Sequence, residues 1–170
     1  GNTVIFPSEY GIVYPDGKRY PVAVGPYREV RQINRQLGLP DAQAHHVAQN
    51  AAYGSIIPRS QGIAISVEGD VIKNPDSQHA RLHGGYEARL DEYRAAGIMP
   101  TNRAYVEIAA QEIQAAGINS AARDYILDQV LRQWKKNGIE LENEIPRMPR
   151  KMSIGIETTL KGEENDGYGS

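Results

Sequence analysis

Two short stretches decide how this chain is read: Ala44-His45-His46, and Gln78-His79-Ala80-Arg81-Leu82-His83 further on. Together they hold all four histidines of the chain. Between them, Gly62-Ile63-Ala64-Ile65-Ser66-Val67 is short, apolar and β-branched, the pattern of a buried strand. Glu68-Gly69-Asp70 reads as a turn and Val71-Ile72 as the start of a return strand. Asn74-Pro75-Asp76 predicts a helix start, with Asn74 as N-cap and proline at the first helical position. That helix carries His79 and His83. Residues 41–53 allow two readings. Ala44, Val47, Ala48, Ala51 and Ala52 would share a helical face, and a loop running into a short helix fits as well.

Upstream, Val13-Tyr14 and Tyr20, Val22, Val24 flank Pro15-Asp16-Gly17-Lys18, which predicts a hairpin. Gly25-Pro26 opens a helix whose apolar positions are Tyr27, Val30, Ile33 and Leu37, and Gly38 with Pro40 ends it. Downstream, Gly97-Ile98, Gly117-Ile118 and Gly138-Ile139 each suit a left-handed helix end followed by an apolar contact. Thr101 and Ser120 are the matching N-caps. Val106, Ala109, Ile113 and Ala116 give one inner face, and Ile126, Leu127, Val130, Leu131 and Trp134 another. Arg147, Arg150 and Lys151 form a basic cluster. Ile154, Ile156, Thr158 and Leu160 alternate as a last strand, and 161–170 reads as a disordered tail.

The fold class is therefore α+β. One division puts the hairpin and histidine-bearing segments in 1–97, and a helical lobe with a terminal strand in 98–160. The 170 residues suit a single compact domain overall. Ten tyrosines stand against one Phe and one Trp, so the core is expected to rest on Ile, Val, Leu and Ala. There is no cysteine, which excludes disulfides, thiol nucleophiles and Cys-based zinc sites. A formal charge of −2 gives no bulk attraction to nucleic acid. Residues 17–39 still carry five basic side chains against Glu29 alone. No apolar run reaches the ~20 residues of a membrane span. No signal peptide opens the chain, and its first residue, Gly1, reads as that of a fragment of something longer.

Histidines four apart on a helix project from one face and can grip one ion. His45 and His46, as neighbours, point apart and so take separate jobs. No nucleophile elbow, phosphate loop or dinucleotide fingerprint appears.

The order of parts, a His pair, a β-rich span and a His-x-x-x-His helix, resembles the HNH nuclease domains of DNase colicins. Gly25-Pro26-Tyr27-Arg28-Glu29-Val30 and His45-His46-Val47-Ala48-Gln49-Asn50-Ala51-Ala52 resemble toxin domains of the HNH/endonuclease VII superfamily. Such domains end bacterial polymorphic toxins, including type VI secretion effectors. The resemblance covers about residues 25–90. It implies a ββα-metal (His-Me finger) core and an antibacterial endonuclease that cuts DNA without much sequence preference, with RNA an open alternative. His46 would be the general base, and His45, His79 and His83 would hold one divalent ion (Zn²⁺, Ni²⁺, Mn²⁺ or Mg²⁺). Asn74 would orient the base or pin the loop, and Arg81 or Arg59 would clamp the phosphate. The resemblance further implies a cognate immunity protein and action in the cytoplasm of a target bacterium. His79 lies 33 positions beyond His46, a longer span than in colicins, which implies an extended loop. The competing reading is a non-enzymatic module of a secretion apparatus with a structural His-bound ion.

Overall fold

A computed structural model describes residues 2–39 and 41–150. The last strand and tail expected beyond 150, and Lys151, lie outside the described residues. The chain begins with strand β1 (Val4–Phe6), a single 3₁₀ turn at Ser8–Tyr10, and the short strands β2 (Ile12–Val13) and β3 (Arg19–Tyr20). Strands β2 and β3 form the expected hairpin, Ile12 opposite Tyr20. The Asp16 carboxylate accepts from the Lys18 amide at 2.8 Å and closes the turn. Val22 and Val24 do not extend this hairpin. They belong to β4 (Val22–Pro26) in a second sheet.

That second sheet has the order β1-β4-β6-β5, all neighbours antiparallel, with β5 (Ala42–His46) at its edge and β6 (Ile63–Glu68) inside. Residues 42–46 are a strand, where the sequence offered a helix or a loop. The reason is the partner: each of them pairs with β6, Ala42 opposite Glu68 and His46 opposite Ala64. Helix α1 (Tyr27–Leu37) follows β4 directly and packs on one sheet face through Tyr27 and Val30 against Ala23, Ala44 and Ala64. Leu37, expected on that face, is 36% exposed, and Asn34 is buried in its stead. A short helix α2 (Asn50–Tyr53) leaves β5.

After β6 no return strand forms. The Asp70 carboxylate instead accepts the amides of Ile72 and Lys73, both at 2.8 Å, and curls the chain into a turn. Helix α3 (Gln78–Ala96) then starts three residues later than the sequence suggests. Its N-cap is Ser77, whose hydroxyl accepts the Ala80 amide at 3.1 Å, and Asn74 is an exposed turn residue before it. Helix α4 (Asn102–Ala115) is capped by Thr101 as expected. Helix α5 (Ser120–Lys136) is capped by Asn119, one residue before the expected Ser120.

The larger core lies between the sheet and α3, α4 and α5, and it runs without a break from Ile12 to Ile145. Its centre is aromatic. Most buried apolar side chains are Ile, Val, Leu and Ala, as composition suggests, but Trp134, Tyr53, Tyr86 and Tyr105 are the largest fully buried ones. The hydroxyls of Tyr53, Tyr105 and Tyr86 each have a partner. Tyr53 donates to Asn102 Oδ1 at 2.7 Å, Tyr105 to Gln49 Oε1 at 2.7 Å and Tyr86 to the Val47 carbonyl at 2.8 Å. This is what allows tyrosine to fill a core.

Candidate functional site

Strand alternation sends successive side chains of β5 to opposite faces. Ala44 and His46 meet α1, while Gln43 and His45 meet α3. The His45 ring stands edge-on to His79, centroids 5.3 Å apart, and edge-on to Tyr86 at 5.5 Å. His79 Nδ1 is 2.9 Å from Gln43 Oε1 and 3.2 Å from the Gly69 carbonyl. Gln43 donates its amide to Asp70 Oδ2 at 3.3 Å, so its oxygen is the atom turned to His79. Both groups facing Nδ1 are then acceptors. Nδ1 therefore carries a proton, and Nε2 is the ring atom left to act as a ligand.

His83 follows one turn along α3. It is 7% exposed, and neither ring nitrogen has a hydrogen-bond partner. Burial, with lesser effects from His79 and Arg94, pushes its pKa down to about 4, so the ring is neutral at pH 7. Arg94 is held by Glu87 at 3.1 Å, by Asp91 at 2.8 Å and by the Pro149 carbonyl at 2.6 Å.

His46 has a different setting. Its ring lies flat on Tyr27, centroids 4.1 Å apart and planes 8° off parallel. Its Nε2 is 2.8 Å from the Arg59 carbonyl, which can only accept, so Nε2 carries the proton and Nδ1 the lone pair. Nδ1 is buried with no partner. Burial is the main cause of a pKa lowered to about 4. The Arg59 carbonyl opposes that shift, and the charges of Arg59 and His79 add to it. A third wall is Gly62, where a Cβ would stand 2.7 Å from His46 Cδ2. The Arg59 guanidinium lies over Tyr27, 5.1 Å from the ring centre, and donates to its hydroxyl at 3.3 Å.

The fold thus sets His45 against His79 on one side of β5, with His83 one turn further along α3, and turns His46 to the other side. It does not bring Asn74 or Arg81 to them. Asn74 is exposed, and its backbone bonds the Asp70 carbonyl and the Ser77 amide, which ties down the turn. Arg81 lies two positions from both helical histidines, roughly opposite them around a helix of ~3.6 residues per turn. There it lines a separate pocket of about 550 Å³ with Tyr14 and Glu112. Of the two arginines considered, Arg59 is the one beside His46. Among the described residues, no three His, Asp or Glu side chains stand close enough together to hold a metal ion as they are placed.

The sequence reading missed Gln43, the Arg59 carbonyl, Gly62 and the stacking role of Tyr27. Gln43 was within reach, since it sits two residues from His45 and a strand assignment would have put it on the same face. The other contacts come from a loop folding back and leave no local signal. A basic groove of about 630 Å³ is lined by Arg132, Lys135, Lys136 and Gln61. Gln133 anchors it by donating to the Gln61 carbonyl at 2.7 Å and accepting the Ile63 amide at 3.2 Å, the two residues that bracket Gly62. No helix among the described residues is long and apolar enough to cross a membrane. Comparison of the chain with family models, with curated proteins and with solved structures finds no match to any of them.

Proposed function

We propose that the chain is a metal-dependent endonuclease domain that hydrolyses the phosphodiester bonds of DNA, with β5, β6 and α3 as a ββα-metal core. The observation that carries this reading is the division of work on β5. His45 turns to α3 and meets His79, while His46 turns away with one nitrogen anchored and the other holding a lone pair. His45, His79 and His83 would hold the ion. The donor chemistry fits, because neutral imidazoles suit zinc and its neighbours, and His83 is a buried neutral ring whose nitrogens have no other partner. Closing the set asks for side-chain rotation on α3, since three ligands do not converge as they stand. When bound, the ion supplies charge stabilisation at the phosphate and the leaving 3′ oxygen.

The rest is the work of the chain. His46 Nδ1, which holds the lone pair, would take the proton from the attacking water once the ring swings out of its buried place, where the Arg59 carbonyl and Tyr27 fix its tautomer and plane. Arg59 replaces Arg81 as the phosphate clamp, and the exposed Lys135 and Lys136 favour the backbone of a nucleic acid. Contacts of this kind carry no sequence information, which fits non-specific cutting. The biological setting follows the HNH toxin resemblance: an antibacterial effector domain acting in a target cell and held in check by an immunity protein in the producer. The burial of all four histidines favours a second reading, a structural ion in a non-enzymatic module.

The test is cleavage of supercoiled plasmid by chelator-stripped protein supplied with Mg²⁺, Mn²⁺, Ni²⁺ or Zn²⁺. His46→Ala should lose at least ~10²-fold in rate, the usual contribution of a general base, and keep its metal content. His79→Ala and His83→Ala should lose both. Full activity in His46→Ala would refute the mechanism, and tight binding of one ion without cleavage of DNA or RNA would favour the structural module.

A further inference from the structure

Pro58, Arg59, Ser60 and Gln61 are all exposed, yet one of them closes off a ring that is 1% exposed, His46. Three walls enclose that ring: Tyr27 on one face, the Gly62 backbone beside Cδ2, and the Arg59 carbonyl on Nε2. Tyr27 is itself buried and packs on the sheet, and Gly62 leads straight into β6. Of the three walls, only the Arg59 carbonyl belongs to an exposed loop.

A short set of polar contacts holds that loop. Its carbonyls accept from three elements: Arg59 from the His46 ring at 2.8 Å, Ser60 from the Arg28 amide of α1 at 3.1 Å, and Gln61 from the Gln133 side chain of α5 at 2.7 Å. Within the loop, the Pro58 carbonyl accepts from the Gln61 and Gly62 amides at 2.9 and 3.2 Å, which makes residues 58–61 one turn. The nearest buried apolar anchor is Ile57, just before it. None of the four residues buries its own side chain. A segment held by a few hydrogen bonds, with no buried apolar contact, opens locally far more readily than the core unfolds.

The Arg59 side chain couples this turn to charge. Its guanidinium lies 5.1 Å from the centre of the Tyr27 ring, and that of Arg31 lies 5.8 Å from the same centre. Among the described residues, no carboxylate pairs with Arg59. Two cations beside one ring repel each other, and an anion drawn to them relieves this. A phosphate holds a guanidinium by charge-assisted hydrogen bonds, stronger than the 3.3 Å bond to the Tyr27 hydroxyl. The guanidinium and the carbonyl belong to one residue. An anion that turns the side chain outward therefore draws the carbonyl away from His46.

We infer that residues 58–61 are an autoinhibitory strap: closed, they keep His46 from the substrate, and the phosphate backbone of that substrate opens them by taking the Arg59 guanidinium off Tyr27. This rests on the nuclease reading. A ligand shifts such an equilibrium only by binding the open form more tightly, and here the Arg59 guanidinium is released only in that form. Exposure of the base is thereby tied to arrival of the substrate.

The experiment reads the acylation of each histidine by diethyl pyrocarbonate in the metal-free protein, resolved by fragment-ion mass spectrometry. His45, which faces α3, and His79 and His83, which lie on it, are the controls for general unfolding. Inorganic pyrophosphate, added at constant ionic strength, should raise the His46 rate of wild type on the order of tenfold and leave the controls unchanged. Arg59→Gln should show no such response. Gln133→Ala, which removes the bonds at Gln61 and Ile63, should raise the His46 rate by a similar factor without pyrophosphate. No selective rise at His46 with pyrophosphate overturns the inference, as does a full response in Arg59→Gln or an unchanged His46 rate in Gln133→Ala. A rise at all four histidines in a variant marks its unfolding, and the wild type with pyrophosphate then decides. Because neither metal nor nucleic acid is present, failure of the nuclease reading shows in the plasmid assay and failure of the strap shows here.

Discussion

A histidine ring shut away from water holds its proton less well than one in solution, and His46 and His83 are both in that state. Their folded pKa values of about 4 lie below the ~6.5 of an unfolded chain. Between these values the unfolded state binds more protons, so stability rises with pH. The contribution is complete above pH ~6.5 and is lost as the pH falls toward 4. Urea unfolding of the metal-free protein should therefore show a midpoint that falls between pH 6.5 and 5, a window above most carboxylate titration. His83→Leu removes one of the two groups and should flatten the fall. Equal slopes in the variant and wild type would show that His83 is not held neutral by burial. At the same scale, Gly62 leaves room for the His46 ring where any side chain would displace it.

Helix α3 sets the place of both helical histidines, so its first turn matters more than its later length. Ser77 is 3% exposed and caps Ala80, and its Cβ is so near Gly69 that a Cβ there would overlap it. Removing such a cap costs about 0.5–2 kcal/mol. Ser77→Ala should lose that amount in denaturant unfolding, and Asn74→Ala, at an exposed turn position, should stay within ~0.5 kcal/mol of wild type. A larger loss in Asn74→Ala would reverse the assignment of the cap. The edge strand β5 depends on its neighbours in another way. Its far side is unpaired in the sheet, and its end is held by the Tyr86 hydroxyl on Val47 and by Gln49 on Tyr105.

Across the whole molecule, α4 and α5 are part of the frame of the site. Trp134 on α5 stacks on Tyr53 at 4.9 Å, Tyr53 meets Tyr105 edge-on at 5.3 Å, and Tyr105 holds Gln49 three residues beyond His46. One residue from Trp134, Gln133 brackets Gly62. Trp134→Ala should cost about 3–5 kcal/mol, the range for deleting a large buried aromatic. Trp134→Phe should cost much less, since the indole N–H has no partner to lose. Thermal unfolding of both variants checks this, and equal losses would mean that the nitrogen matters more than the packing.

Much of this was legible along the chain. The hairpin turn at Asp16-Gly17, α1, the strand at 63–68 and the helix ends at Gly97, Gly117 and Gly138 rest on local rules: left-handed backbone favours glycine, and apolar spacing marks a face. Adjacent histidines on opposite sides of their segment follow from the chain as well, because neighbouring side chains diverge. What the chain could not show was set by partners distant in sequence. β6 made a strand of residues 42–46, which alone favour no one structure. The competition between Asn74 and Ser77 for the start of α3 went to the residue that packs against Gly69. Asn34 took the buried place expected of Leu37 because β5, a strand distant in sequence, packs beside that part of α1. The anchoring of His46 by a carbonyl thirteen residues away, and the placing of Arg81 beyond reach of His79 and His83, are likewise properties of the packed fold. Local preferences are worth tenths to about one kcal/mol each, while burial and buried hydrogen bonds are worth more. Tertiary packing therefore decided the site wherever the two disagreed.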